Sequence, residues 1–240
     1  MWRRASVSGV CALAVLVLLT PPSLADSAMA GSGRRTLIAQ DDFRSGTGKW
    51  TAELLAGGTV TASNGRLDID VPDGATVWFK QPFSGSYEIE YTAVPVSAGG
   101  PNDRVSDLNT FWSARDIRSP RDLFATERTG AFTDYDYLKG YYAGLGGNTN
   151  TTTRFRRYVG EPGNRPLIYD LTSPLLEPNR PYHIRQTVHG NKIQYRVNGT
   201  LLFDYTDPSP YRSGWFAFRT IDSHFTITDF KVWRPATGKA

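Results

Sequence analysis

The chain has a single cysteine in 240 residues, Cys11, and it lies in an apolar run close to the N-terminus. No disulfide can close within the chain, and no thiolate cage for zinc can form. The three histidines, His183, His189 and His224, lack zinc-ligand spacing as well. No apolar stretch is long enough to span a bilayer, because Val7 to Leu19 falls short of the roughly 20 residues required. No amphipathic helical periodicity of useful length is present either. The formal net charge of +4 is small for this size and not gathered into the basic stripes of a nucleic-acid binder.

The N-terminus reads as an export signal. Met1 to Arg4 give a positive start, Val7 to Leu19 an apolar segment, and Ala28-Met29-Ala30 a small-residue cleavage pattern. We assign residues 1–30 to a secretory signal peptide and expect a secreted, extracellular protein without a membrane anchor. Removing Arg3, Arg4 and Asp26, two positive charges and one negative, lowers the net charge from +4 to +3. Residues 31–36 read as a flexible mature N-terminus, 37–235 as one domain and 236–240 as a tail. That length suffices for one large core without disulfides.

What is abundant is β-pattern. Segments such as Arg66–Val71, Tyr87–Val96, Tyr182–His189, Lys192–Val197 and His224–Trp233 alternate apolar and polar residues with period two. Asn64-Gly65, Asp73-Gly74 and Asn198-Gly199 supply turn signals. Asp122-Leu123-Phe124 offers one helical turn inside a long loop. Many short strands at 8–12-residue spacing predict an all-β, two-sheet antiparallel sandwich of jelly-roll type.

Residues 133–160, TDYDYLKGYYAGLGGNTNTTTRFRRYVG, break that rule of economy. Tyrosines, a glycine-rich turn, an Asn/Thr cluster and Arg154, Arg156 and Arg157 make a poor core. On a strand, Arg154, Arg156 and Tyr158 share one face. Such a face is costly unless it meets solvent, an anion or carboxylates. The alternative is that these arginines are solvated edge charges. Gly144 to Gly147 follow no parallel strand and open no helix, so they are not a phosphate loop; they let a backbone approach a ligand closely or make a bulge.

An opening Asp41-Asp42-Phe43 with Trp50 resembles the start of concanavalin A-like lectin and glucanase domains. So does the closing YRVNGTLLFDYTDPSPYRSGWFAFRT with a last strand ending in Phe-Lys-Val. These end motifs are generic to the fold. The middle motifs, NDRVSDLNTFW at Asn102–Trp112 and GYYAGLGGNTNTTTRFRRY at Gly140–Tyr158, are more specific. They resemble a bacterial family of secreted domains of unassigned function that occurs among polysaccharide-degrading proteins. The resemblance covers nearly the whole mature chain. It implies a jelly roll whose concave sheet holds a carbohydrate, and it leaves the reaction open among lyases, glycosidases and binding modules. It also implies a structural calcium where Asp41 or Asp42 meets Asp229, the alternative being that these acids are solvated. No other cofactor is expected.

Eliminative cleavage beside a uronate carboxylate needs cations or amides on that carboxylate and a group that moves the proton. We expect Arg154, Arg156 and Asn148 to hold the carboxylate and Tyr141, Tyr158 or His224 to move the proton. Asp107, Asn109 and Phe111 share one strand face, opposite Leu108, Thr110 and Trp112. Arg104, Asp107, Asn109 and Trp112 are expected to shape the subsites, with Lys139, Tyr142 and Asn150 as further substrate contacts. The expected partner is an acidic polysaccharide or oligosaccharide substrate, not a nucleic acid, and the protein is expected to be a monomer. The alternatives are a non-catalytic carbohydrate-binding module on the same face, and a glycosidase using Asp103, Asp107 or Asp134. Neither Glu88 with Glu90 nor Asp134 with Asp136 has glucanase spacing.

Overall fold

The computed structural model describes residues 1–2 and 35–236. Residues 3–34, which hold Cys11 and most of the segment read from sequence as an export signal, and residues 237–240 lie outside the described residues. Sixteen strands follow in chain order among the described residues. They begin with β1 (Thr36–Asp41), β2 (Trp50–Leu54), β3 (Thr59–Ser63), β4 (Arg66–Val71) and β5 (Ala75–Phe79). Next come β6 (Phe83–Ser84), β7 (Tyr87–Pro95), β8 (Leu108–Asp116), β9 (Leu138–Gly146), β10 (Thr152–Val159) and β11 (Leu167–Leu171). The last five are β12 (Tyr182–His189), β13 (Lys192–Val197), β14 (Thr200–Thr206), β15 (Ser213–Thr220) and β16 (Ser223–Arg234).

They form two antiparallel eight-stranded sheets, so the chain is an all-β jelly-roll sandwich. One sheet runs β14-β13-β12-β7-β16-β4-β3, with β1 also on β16. The other runs β11-β10-β9-β8-β15-β5-β2, with β6 also on β15. Asn64-Gly65 and Asn198-Gly199 take positive φ at both positions, which closes the β3–β4 and β13–β14 hairpins. Asp73-Gly74 instead carries the chain from one sheet to the other, between β4 and β5.

Two apolar layers result. Between the sheets, Trp50, Phe79, Tyr91, Trp112, Tyr141, Phe155, Phe216, Phe218 and Phe230 build an aromatic core. On the outer face of the β8–β9–β10 sheet, residues 117–137 lie back over Trp78, Phe111, Leu138, Tyr158 and Trp215 and bury a second core. Within this covering loop, Leu123–Ala125 makes a 3-10 turn, capped where the Asp122 carboxylate accepts from the Phe124 N–H at 3.0 Å. A buried charge network fastens the loop. Arg128 lies 2.8 Å from Glu53 on β2 and 3.2 Å from Asp116 on β8, and Tyr135 donates to Glu53 at 2.7 Å. The covering loop shields only part of the sheet face, and what it leaves open is the site.

Candidate functional site

Period-two alternation and strand register place the floor of a groove beside the covering loop. Arg219 on β15, Asn109 on β8, Gly144 on β9 and Arg154 on β10 pair in one row across four neighbouring strands. Ala217, Phe111, Tyr142 and Arg156 form the next row. At about 4.8 Å between strands, the first row spans roughly 14 Å. The groove has a volume of about 600 Å³, within the usual range for small-molecule sites. Asp107, Gly147, Asn148, Thr152, Thr220 and Ile221 close one end, and Phe132, Gly163 and Arg165 border the other.

Four arginines reach this groove, and their partners divide them into two kinds. Arg154 grips Asp170 with two hydrogen bonds of 2.7 and 3.2 Å. Arg165 pairs with Asp136 at 2.6 Å. Arg156 donates only to the Arg165 carbonyl, at 2.6 Å. Arg219 donates to Thr76 Oγ1 at 2.8 Å and the Gly130 carbonyl at 3.1 Å, with its guanidinium 4.5 Å from the Tyr135 ring. Among the described residues, neither Arg156 nor Arg219 has a carboxylate partner, and Arg219 is only 5 % exposed.

Two polar groups on the floor are also unengaged. The Asn109 side-chain oxygen is buried without a hydrogen-bond partner among the described residues. The Tyr142 hydroxyl has no protein partner there either. Burial, with Tyr158 and Asp107 nearby, pushes its pKa well above the ordinary phenol value, and Arg219 and Arg156 only partly oppose that. Asp107 is occupied: it accepts from Arg104 at 3.0 Å and from the Ser106 hydroxyl. Behind it, Asn148, Thr149 and Asn150 all adopt positive φ, which is unfavourable for a β-branched threonine. Arg104 braces this turn by donating to Thr149 Oγ1 at 3.4 Å and to the Ile221 and Asp222 carbonyls.

Of the residues expected from sequence, the structure gathers Arg154, Arg156, Asn148, Asp107, Asn109 and Tyr142 along the groove. Arg104 buttresses Asp107 from behind. The others need correction. Tyr141 and Trp112 point inward; both are fully buried in the aromatic core, and the Tyr141 hydroxyl donates to Asp207 at 2.7 Å. Tyr158 shares the outer face with Arg156 but lies beneath the covering loop, 5.3 Å from Phe111. His224 stands on β16 in the opposite sheet, held by Asp103 at 2.9 Å and Asp68 at 3.2 Å. Asn150 clamps the chain by exchanging two hydrogen bonds with the Leu176 backbone, both 2.9 Å. Lys139 faces a different cleft.

The carboxylate alternatives fare no better as a pair. Asp103 serves His224, and Asp134 caps the covering loop at Thr129. Among the described residues Asp107 is the one carboxylate lining the groove, whereas glycoside hydrolysis needs two. Asp42 and Asp229 follow Asp41 and precede Phe230, which are paired in the β1–β16 ladder. Their carboxylates turn to the Arg44 N–H and the Thr228 hydroxyl. Among the described residues no group of three His, Asp or Glu side chains could hold a metal ion.

Sequence reasoning missed Arg219, Arg165 and Phe132. Arg219 was within reach, because Phe216 and Phe218 in GWFAFRT face the core and parity puts Arg219 outside. Arg165 sits on a loop and Phe132 opens a 3-10 helix (Phe132–Tyr137) within the covering loop, where no strand periodicity applies.

Residues 69–230 match the family described as a domain of unknown function, DUF6250. The chain belongs to that family. No curated protein matches it. Among solved structures, it is similar to a Bacillus subtilis protein of unknown function with a galectin-like fold. The TM-score is 0.67 at 20 % identity, covering 82 % of this chain and 95 % of that one. The Bacillus subtilis carbohydrate-binding module CBM66 gives a TM-score of 0.55 at 14 % identity, over 78 % and 96 % of the two chains. The exoplasmic/lumenal domain of VIP36, bound to calcium and mannose, gives 0.54 at 13 % identity, over 80 % and 85 %. Likeness at this identity establishes a shared fold for this DUF6250 member.

Proposed function

We propose that this chain is an exported, monomeric carbohydrate-recognition domain whose groove binds an acidic sugar chain, without a cofactor. The observation that carries the reading is the pair of guanidiniums, Arg156 and Arg219, that reach the groove without carboxylate partners. Arg219 is buried and Arg156 half-buried; a buried cation without a carboxylate is expensive, and a ligand carboxylate offsets that cost with charge-assisted hydrogen bonds. The orphaned Asn109 oxygen, costing about 1–3 kcal/mol when unpaired, is placed to accept from a sugar hydroxyl. The carbohydrate-binding module and the mannose-bound domain that share the fold support a sugar ligand.

A second reading, eliminative cleavage of a uronate-containing polysaccharide, draws on the unpaired Tyr142 hydroxyl. Elimination breaks the bond from carbon to hydrogen next to the carboxylate and the bond from carbon to the leaving oxygen, and it forms a double bond between those carbons. Tyr142, held protonated by its raised pKa, suits the step that protonates the leaving oxygen. The removal of the carbon-bound proton would fall to Asp107, whose oxygens already hold Arg104 and Ser106. Binding is therefore the better supported of the two.

Calorimetric titration with uronate-containing and neutral oligosaccharides tests the reading. Acidic ligands should bind, and Arg156→Ala and Arg219→Lys should each weaken them about tenfold or more, given about 1.5–3 kcal/mol per hydrogen bond to a charged group. Equal affinity for neutral ligands, or an unchanged Arg156→Ala, would overturn it. Ultraviolet absorbance of unsaturated uronate in the same mixtures would select the eliminative reading.

A further inference from the structure

Lys139 marks a second cationic site. Where β8 ends and β9 begins, a cleft of about 440 Å³ opens at the far end of the strands that floor the groove. From Asn109 in the groove to Arg115 in the cleft is six residues along β8, roughly 20 Å at 3.3 Å per residue. Lys139 shares the parity of the inward-facing Tyr141, whereas Tyr142 and Leu138 face the covering loop, so the cleft and the groove lie on opposite sides of these strands.

Arg115 and Lys139 are direct cross-strand partners. Two like charges placed opposite each other on neighbouring strands destabilise a sheet. A third cation, Arg212, joins them in the lining, and among the described residues none of the three has a carboxylate partner. Asp116, the acid in the same cleft, is fully buried and committed to Arg118 at 2.6 Å and Arg128 at 3.2 Å. One of these cations is also held in place. Arg115 donates to the Ser213 carbonyl at 3.2 Å, the Ser213 hydroxyl at 2.8 Å and the Pro120 carbonyl at 3.2 Å. The Lys139 stem lies against Gly160, where an added Cβ would come within 3.3 Å of its Cγ. A side chain fixed before a ligand arrives, as Arg115 is, loses less entropy on binding it. Ile117 and Tyr211 add apolar wall for the carbon face of a sugar.

We propose that this cleft is a second binding site for an acidic oligosaccharide, its carboxylate or sulfate bridging Arg115, Lys139 and Arg212. The choice of a sugar ligand rests on the function proposed above; the anion preference rests on the cleft alone. Two sites on one domain would also raise the avidity for a long polymer.

The test is titration of the intact chain with a short acidic oligosaccharide, too short to span roughly 20 Å, in carboxylated and sulfated forms. We expect two sites per chain. Lys139→Ala/Arg212→Ala, which removes no hydrogen bond within the described protein, should weaken one site more than tenfold and spare the other. Arg156→Ala should do the reverse. A single site that responds only to Arg156→Ala overturns this proposal and leaves the groove standing. A single site that responds only to the cleft variant supports this proposal and overturns the groove. Absence of binding by both ligand forms overturns both.

Discussion

The backbone of Gly144 lies so close to Asn109 that a Cβ at position 144 would stand 2.7 Å from the Asn109 side-chain oxygen. That Cβ would also stand 3.2 Å from the Tyr142 hydroxyl. Glycine is required here for space, since its φ is not among the positive values. Gly144→Ala must push Asn109 and Tyr142 off the groove floor. We predict a loss of acidic-oligosaccharide affinity of tenfold or more, with an overpacking cost of about 1–3 kcal/mol in denaturant unfolding. Unchanged affinity in the folded variant would show that the floor does not touch ligand.

Removing the fastening of the covering loop should act on stability. Arg128 is fully buried between Glu53 and Asp116. Arg128→Met leaves the Glu53 carboxylate buried without its cation, which costs about 3–5 kcal/mol when one partner of a buried pair is lost. Denaturant unfolding measures this, and limited proteolysis should cut first within residues 117–137. A loss below 1 kcal/mol would mean that Tyr135 and apolar packing alone hold the loop.

The strands were legible in the sequence because period two survives wherever one face is buried. Arg66–Val71, Tyr182–His189 and Lys192–Val197 run within the bounds that alternation assigns them. The same parity put Arg154 and Arg156 on one face, where the groove now uses them. It also set Trp112 opposite Asn109, which counts against a sugar-stacking role for Trp112. Tyr158 shows where parity stops: it has the right face, but a loop distant in sequence covers it. His224 depends on which sheet receives β16, and strand order is a tertiary property that a local pattern does not carry. The two-residue strand β6 is too short to display an alternation.

His224 makes stability pH-dependent. Burial alone would lower its pKa, but hydrogen bonds to Asp103 and Asp68, with the charges of Asp68 and Asp70, raise it above 6.5. A raised pKa means that its contribution is complete below about pH 6.5 and is lost as pH rises through the folded value. Asp103 works in the opposite sense. The Ala98 and Gly100 N–H groups, and then His224, hold its pKa at about 2 instead of 3.8, so its contribution is lost as pH falls toward 2. The melting temperature should therefore be highest between about pH 4 and 6.5 for this cluster, and His224→Gln should flatten the decline on the alkaline side. Parallel profiles for the two proteins between pH 6 and 9 would contradict the assignment.

Tyr142→Phe separates recognition from chemistry. The hydroxyl has no protein hydrogen bond among the described residues, while the ring packs 5.2 Å from Phe111 and 5.7 Å from Tyr158. Phenylalanine keeps that packing, so stability should change by less than about 0.5 kcal/mol. If the groove only binds, affinity for the acidic oligosaccharide should fall by no more than one neutral hydrogen bond, about 0.5–1.5 kcal/mol. If the groove cleaves, the rate at which unsaturated uronate appears should drop about 10²–10⁴-fold at nearly unchanged KM, because a proton donor acts in the transition state. A variant that binds normally and cleaves at the full rate would place the proton transfer on another group, with Asp107, a carboxylate lining the groove, the next to replace.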